Sequence, residues 1–448
     1  MWYTALVTLP MRIAALPARH TALRERYAPS SKQCAPAGER LVEVDRGAPP
    51  GPSVGRRWKS LRACAALVVC LALVSLPPSS QASVRQDSDL RPPSAALAQL
   101  PELPFNVSAS SVDSRAPRLA VSASAAHLVW EEDERIRHRF WDGAAWSSSR
   151  SIAFGEQPDV ALDSSGVAHV SFVNEFGGNY EIYHCRWNGT SWSLPRNVSN
   201  TSGVSSAPRV GIGGDDTVHI VWADNTPGYK VIYHAYWNGT YWLNEPVPSA
   251  LGGAPTVAVG WDGVLHLAWQ DRDALTAPYE IYHIRRSGGN WSLPENLSDT
   301  AATPSIIPSI SVGPSRAHVA WQEKTGGRYA IVYTHGLDGF WSVPETISEN
   351  EADAFLPTLQ VNISRTAYVG WDEGTLALYR QRGSNELQWS TSNAVGDDPA
   401  GATDLQLAVD AAGRLHAAWA ERVTPSNWDV FYQCLAHRLV LPLAVKTH

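Results

Sequence analysis

A four-residue pattern, H-x-x-W, recurs along the chain and constrains its fold more than any other feature. It reads "HLVW" at 127–130, "HVSF" at 169–172, "HIVW" at 219–222 and "HLAW" at 266–269. It continues as "HVAW" at 318–321, "YVGW" at 368–371 and "HAAW" at 416–419. Successive copies are 42, 50, 47, 52, 50 and 48 residues apart. Self-similarity at such a period marks a repeat architecture in which one unit cannot bury its apolar faces alone.

Each copy lies in a longer unit. A proline opens it (Pro117, Pro158, Pro208, Pro255, Pro308, Pro357), with Asp404 read as its replacement in the last copy. A short alternating strand follows, then a tight turn with Gly or Asp, then the tetrad strand. A loop of variable length leads to a third strand such as "YEIYHCRW" (180–187), and a turn such as "WNGTSW" leads to a fourth, "WSLPRNVS". Asn-Gly, Asp-Gly and Gly-Gly pairs join the strands, the usual hairpin punctuation. Four strands per unit, seven times over, predict an all-β, seven-bladed β-propeller of antiparallel blades. Six blades plus an extra hairpin is the alternative. The seventh unit lacks a fourth strand after "DVFYQC" (429–434), whereas "PFNVS" (104–108) matches "PRNVS" (195–199) and "PENLS" (294–298). The N-terminal strand is therefore expected to complete the last blade and close the ring, leaving no open sheet edge.

Outside the repeats the chain changes character. The first 82 residues hold 11 Lys+Arg against 4 Asp+Glu, although the whole chain has a net charge of −7. The rest is thus strongly acidic, with three lysines (Lys230, Lys324, Lys446). That balance argues against nucleic acid, whose backbone demands clustered cations. Segment 55–82 reads as a signal peptide or signal anchor: Arg56, Arg57, Lys59 and Arg62 precede the apolar run Ala63–Leu76, and Ser80-Gln81-Ala82 follows. A run of that length is short of the roughly 20 residues a spanning helix needs. Cleavage and secretion are expected, with an uncleaved membrane anchor at the cell surface as the alternative. Residues 1–54 are read as an extension ahead of the true start (Val54 is an alternative start). Residues 83–103 are read as a flexible leader, 104–437 as the propeller and 438–448 as an apolar tail. Beyond the signal, Cys185 and Cys434 are too few for a disulfide framework. They lie at equivalent positions in the second and seventh units, with the first between them, so two free, buried thiols are expected.

The turn between third and fourth strands, with Gly189 and Trp192 at G-x-x-W spacing, resembles the Asp-box of sialidase/BNR-like repeat propellers of exported bacterial proteins. Asn188 or Asn238 stands beside the glycine in place of the aspartate. The resemblance covers about 105–434 and implies the propeller fold. A sialidase of that kind would need three arginines converging on a carboxylate, a Tyr/Glu nucleophile pair and an acidic proton donor. "RAPRLAV" (115–121) is not the family's R-I-P stretch. Arg118 and Arg209 follow the opening proline in two units, but Asp159, Thr256, Ser309 and Thr358 stand there in others. No catalytic residue carries over.

The repeat also sorts structural from functional residues. A residue present in every blade serves the blade; one that departs in a single blade, on the loop-rich face, is a candidate for function. His127, His169, His219, His266, His318 and His416 share one position, and His138, His184, His234 and His283 another. Spread around a ring, they cannot converge on one metal; neither metal nor cofactor is expected. Sequon asparagines Asn188, Asn197, Asn238, Asn290 and Asn296 fall at turn positions. Acids recur two residues after the tetrad aromatic: Glu132, Asp224, Asp271, Glu323, Glu373 and Glu421, with Glu175 beside that place in the second unit. Tyr180, Tyr229, Tyr279, Tyr329 and Trp428 begin the third strand beside them, and Arg272 and Asp273 are specific to the fourth unit. Carboxylates with aromatic rings suit a sugar, through hydroxyl hydrogen bonds and ring stacking. They equally suit a loop tied to its own backbone N–H groups. The expected molecule is a monomeric, exported, non-catalytic binding or scaffold module, for a glycan or a cell-surface protein. A sialidase-like glycoside hydrolase is the rival.

Overall fold

The computed structural model describes residues 103–435, apart from 273, 275, 301, 338, 350–351 and 397–400. The signal segment, the extension before it, all but the last residue of the leader, the C-terminal tail and Asp273 lie outside the described residues.

Seven sheets form, six of them each from one repeat unit, and six blades with an extra hairpin is excluded. Blade 1 comprises Ser114–Val121, Ala126–Glu132, Arg135–Trp141 and Arg150–Phe154, paired in that order. Blades 2 to 6 repeat the order, and the fourth strand is split in blades 4 and 5. Blade 7 takes three strands from the C-terminal end, Ala402–Val409, Leu415–Thr424 and Asn427–Leu435. Its fourth is Phe105–Asn106, with Phe105 opposite Tyr432 and Asn106 opposite Phe431. The ring closes as the match of "PFNVS" to the internal repeats predicts. The first strands touch one another in an unbroken circle, so they surround the axis and the fourth strands form the rim.

Seven apolar cores lie between blades, one at each interface. The tetrad aromatics Trp130, Phe172, Trp222, Trp269, Trp321, Trp371 and Trp419 are completely buried in them. The last tetrad residue therefore recurs because every blade needs one large ring to fill the gap to its neighbour. Neither Cys185 nor Cys434 is in a disulfide, and both are buried, in two different cores.

Every first strand carries a bulge against its second strand. The bulged residue has positive φ: Ala116, Gln157, Ala207, Ala254, Ile307, Leu356 and Asp404. A proline follows six of them, and a bulge is one of the few places in a sheet that tolerates its missing N–H. Register corrects the sequence reading of the seventh unit. Gln406 opposes Ala418 as Arg209 opposes Val221, so Leu405 stands in the proline's place and Asp404 is the bulged residue.

The histidines face each other in pairs. Nδ1 of the tetrad histidine meets Nε2 of the third-strand histidine at 3.1 Å for His127–His138 and for His169–His184. The distance is 3.0 Å for His219–His234 and His266–His283. In blades 5 and 7 a tyrosine hydroxyl replaces the second ring, at 2.6 Å for His318–Tyr333 and 2.9 Å for His416–Tyr432.

Candidate functional site

The loops between second and third strands share one face of the ring with the blade-to-blade connections, and they are the ones that vary in length. Beneath them stand the recurrent acids. Glu132 Oε2 accepts from Trp130 Nε1 at 3.2 Å and Ser114 Oγ at 3.0 Å, and Arg137 lies 2.9 Å from its other oxygen. Trp321, Trp371 and Trp419 donate likewise to Glu323, Glu373 and Glu421 at 3.0, 2.8 and 2.8 Å. These glutamates neutralise the indole N–H of the buried core tryptophan, which would otherwise cost free energy. Asp224 is one methylene shorter. It is completely buried and accepts from Thr201 Oγ1, Ser205 Oγ and the Thr226 N–H at 2.7, 2.8 and 2.7 Å. Trp222 Nε1 has no acceptor. Half-buried Asp271 accepts the Arg272 N–H at 2.6 Å. Glu175 is exposed at the tip of its hairpin.

The aromatics of the third strand divide by blade. Trp428 is buried, with the guanidinium of Arg115 4.3 Å and that of Arg422 5.0 Å from its ring. Tyr329 is half-buried against Phe355, with ring centroids 5.6 Å apart. In blade 4, Arg272 lies 5.2 Å from the half-buried ring of Tyr279. Tyr180 in blade 2 and Tyr229 in blade 3 are exposed, at 38% and 59%, and Phe176 beside Tyr180 at 79%. The open aromatic surface of this face therefore belongs to blades 2 and 3, with Phe154 of blade 1, 54% exposed, next to it under the Arg135 guanidinium 3.7 Å away.

A second group of charges, centred on the first strands, was only half legible in the sequence. Arg118 Nε lies 3.8 Å from Asp159 Oδ1, and Asp159 Oδ2 accepts the Val210 N–H at 2.8 Å. Burial, then the neighbouring Arg209, lowers Arg118 to about 10, while Asp159, Asp404 and Glu131 oppose the shift. Burial and then Asp404 raise Asp372 to about 7, although it accepts from Thr403 Oγ1 and two backbone N–H groups. Arg118, Asp159 and Arg209 differ at one repeat position, which the blade-by-blade test flags. Glu131, Asp372 and Asp404 show no such pattern by spacing alone. The two first-strand arginines flank an aspartate; Thr256, Ser309, Thr358 and Gln406 hold the equivalent positions of the other blades. Among the described residues, no group of three or more His, Cys, Asp or Glu side chains could hold a metal ion.

No family model matches this chain, and no curated protein does. Solved propellers do resemble it. One is an ulvan lyase of a new polysaccharide lyase family, bound to -[GlcA(1-4)Rha3S]-. It aligns at TM-score 0.56 with 10% identity, over 75% of this chain and 96% of that one. Aleuria aurantia lectin in complex with α-methyl-L-fucoside aligns at 0.43 with 14% identity, over 63% and 95%. A Hadza microbial sialidase aligns at 0.42 with 13% identity, over 70% and 74%. The likeness to sialidase-like propellers is one of fold.

Proposed function

We propose that this chain is an exported β-propeller that binds carbohydrate on its variable-loop face, and that its role is recognition rather than bond cleavage. The exposed aromatic edge of blades 2 and 3 carries the reading: Tyr180, Tyr229 and Phe176, with the carboxylate of Glu175 beside them. Aromatic faces stack on the apolar faces of sugars, and carboxylates accept their hydroxyl hydrogen bonds. In blades 5 and 7 the equivalent rings are spent on packing. Propellers of similar fold that bind or act on glycans make the ligand class a reasonable one to test first.

The test is a glycan array followed by calorimetry on the best ligand. Tyr180→Ala with Tyr229→Ala should weaken binding at least tenfold, and Asp271→Ala should weaken it less. Unchanged binding in the tyrosine pair would remove this face from the ligand. Release of reducing ends from the bound glycan would favour the hydrolase instead. Export through segment 55–82 is part of the proposal, and fractionation of cells expressing the full chain tests it.

A further inference from the structure

The blade interfaces repeat an arrangement on their outer side. In blades 2 to 5 a tryptophan at the start of the fourth-strand segment packs against the third-strand histidine of the preceding blade; in blades 1 and 6 the partner is a tyrosine. Ring centroids are 4.8 Å apart for Trp192–His138, 5.1 Å for Trp242–His184, 5.5 Å for Trp291–His234 and 4.8 Å for Trp341–His283. Between blades 3 and 4 a protein carboxylate completes it. Glu245 Oε1 accepts from His234 Nδ1 at 3.2 Å and Trp291 Nε1 at 3.2 Å, and Arg286 Nε lies 3.1 Å away. Between blades 4 and 5, Glu295 Oε2 accepts from His283 Nδ1 at 3.2 Å and Trp341 Nε1 at 2.8 Å. The hydrogen bond from the histidine is the main cause that lowers the pKa of each glutamate.

Blade 1 breaks the pattern. Arg150 lies opposite His138 where Glu245 lies opposite His234. The histidine pair and the tryptophan keep their places, but His138 Nδ1 and Trp192 Nε1 are buried without an acceptor. His138 is completely buried. We assign His138 the tautomer of its counterpart His234, which must carry its proton on Nδ1 to donate to Glu245; His127 then donates to His138 Nε2. The guanidinium of exposed Arg150 lies 5.5 Å from the Trp187 ring. Trp192 and Arg150, with Trp187, Leu194 and Pro195, line a surface cavity of about 510 Å³; His138 lies behind this lining, opposite Arg150. The same exchange recurs at Arg196, opposite His184, where Trp242 Nε1 also lacks an acceptor.

We propose that the outer cleft between blades 1 and 2 binds the carboxylate of an acidic sugar, which takes the place that Glu245 and Glu295 fill from within the protein. Two buried N–H donors then gain the acceptor they lack, and the Arg150 cation beside them favours an anionic one. The sugar ring lies along the exposed side chain of Leu194. That the carboxylate comes on a sugar rests on the carbohydrate reading above; the anion preference stands on the repeat comparison alone. The cleft lies beside the turns between third and fourth strands, on the opposite face from Tyr180 and Tyr229.

The experiment titrates the full chain with glucuronate, glucose and acetate by calorimetry. Glucuronate should bind at least tenfold more tightly than either of the others. Arg150→Glu places a protein carboxylate in the cleft, so it should abolish glucuronate binding and raise the melting temperature by about 2 °C. Trp192→Phe should weaken glucuronate several-fold while keeping the ring. Unchanged binding in Arg150→Glu, or equal binding of glucose, overturns the inference, as does failure of both anions to bind. Acetate binding as well as glucuronate overturns the sugar assignment. The Tyr180→Ala, Tyr229→Ala pair should bind glucuronate normally. If the glycan array is blank and glucuronate still binds, the loop-face reading falls and this cleft stands.

Discussion

A carboxylate two residues beyond the tetrad aromatic has one task in blades 1, 5, 6 and 7 and another in blade 3, and the length of its side chain decides which. Glutamate reaches back to the indole N–H of its own tryptophan; Asp224 falls short and gathers hydroxyls and an N–H from the incoming connection. Glu373→Ala should therefore destabilise the fold by about 1–3 kcal/mol, because Trp371 Nε1 and the Ala352 N–H lose their acceptor. Urea unfolding measures this, and a cost near zero would mean that water serves the indole equally well. Glycan binding should survive the same substitution. The recurrence of these acids was legible in the sequence, but their employment was not, since reach and burial are properties of the folded blade. The aromatics carry the same lesson. Tyr180 and Trp428 occupy equivalent sites, yet Trp428 is covered by Arg422 across its hairpin and by Arg115, which chain order does not place beside it.

At the level of the strand, the device that holds blade to blade is the bulge. Its N–H is aimed at the preceding blade, where a side chain accepts it. Gln157 donates to Glu131 at 2.6 Å, Ile307 to Gln270 at 2.9 Å, Leu356 to Gln322 at 3.1 Å and Asp404 to Asp372 at 2.7 Å. The prolines announced a boundary at these positions but not a bulge, and the seventh unit, lacking a proline, was misphased by one residue. The closing strand was read correctly because its hydrogen-bonding residues are spelled out in "NVS". Ser108 Oγ accepts the Val430 N–H at 2.9 Å as Ser199 Oγ accepts that of Ile182 at 2.8 Å. Asn106 and Ser108 both donate to Asp429, at 2.7 and 2.9 Å. Ser108→Ala and Ser199→Ala should each cost about 1–3 kcal/mol in urea unfolding. A markedly smaller cost at Ser108 would show that the ring opens at its seam before the molecule unfolds.

Across the whole ring the paired histidines make stability a function of pH. Burial is the first cause of each depression. It lowers His127 to about 4 and His184, His219 and His318 to about 3, and it lowers His138, His169, His234 and His283 as well. An unfolded histidine titrates near 6.5, so below that pH the unfolded chain binds protons that the folded ring refuses. Stability is fully present above about pH 6.5 and falls as pH drops towards the folded values. Each fully titrating group contributes about 1.4 kcal/mol per pH unit, so four such groups together remove roughly 5 kcal/mol per unit below pH 6. Asp372, raised to about 7, acts with the opposite sign, since its protonated form suits the folded state; it offsets about one of the four. Asp410, lowered to about 2, adds its own loss only at lower pH. Against a typical total of 5–15 kcal/mol, acid unfolding is expected between about pH 3 and 6. Urea midpoints taken at pH 7, 6, 5 and 4 should fall progressively. The fall should persist in 1 M NaCl, where the Debye length is about 3 Å, because desolvation rather than surface repulsion is its cause. A midpoint that is flat from pH 7 to 5, or a slope that salt abolishes, would refute the buried-histidine account.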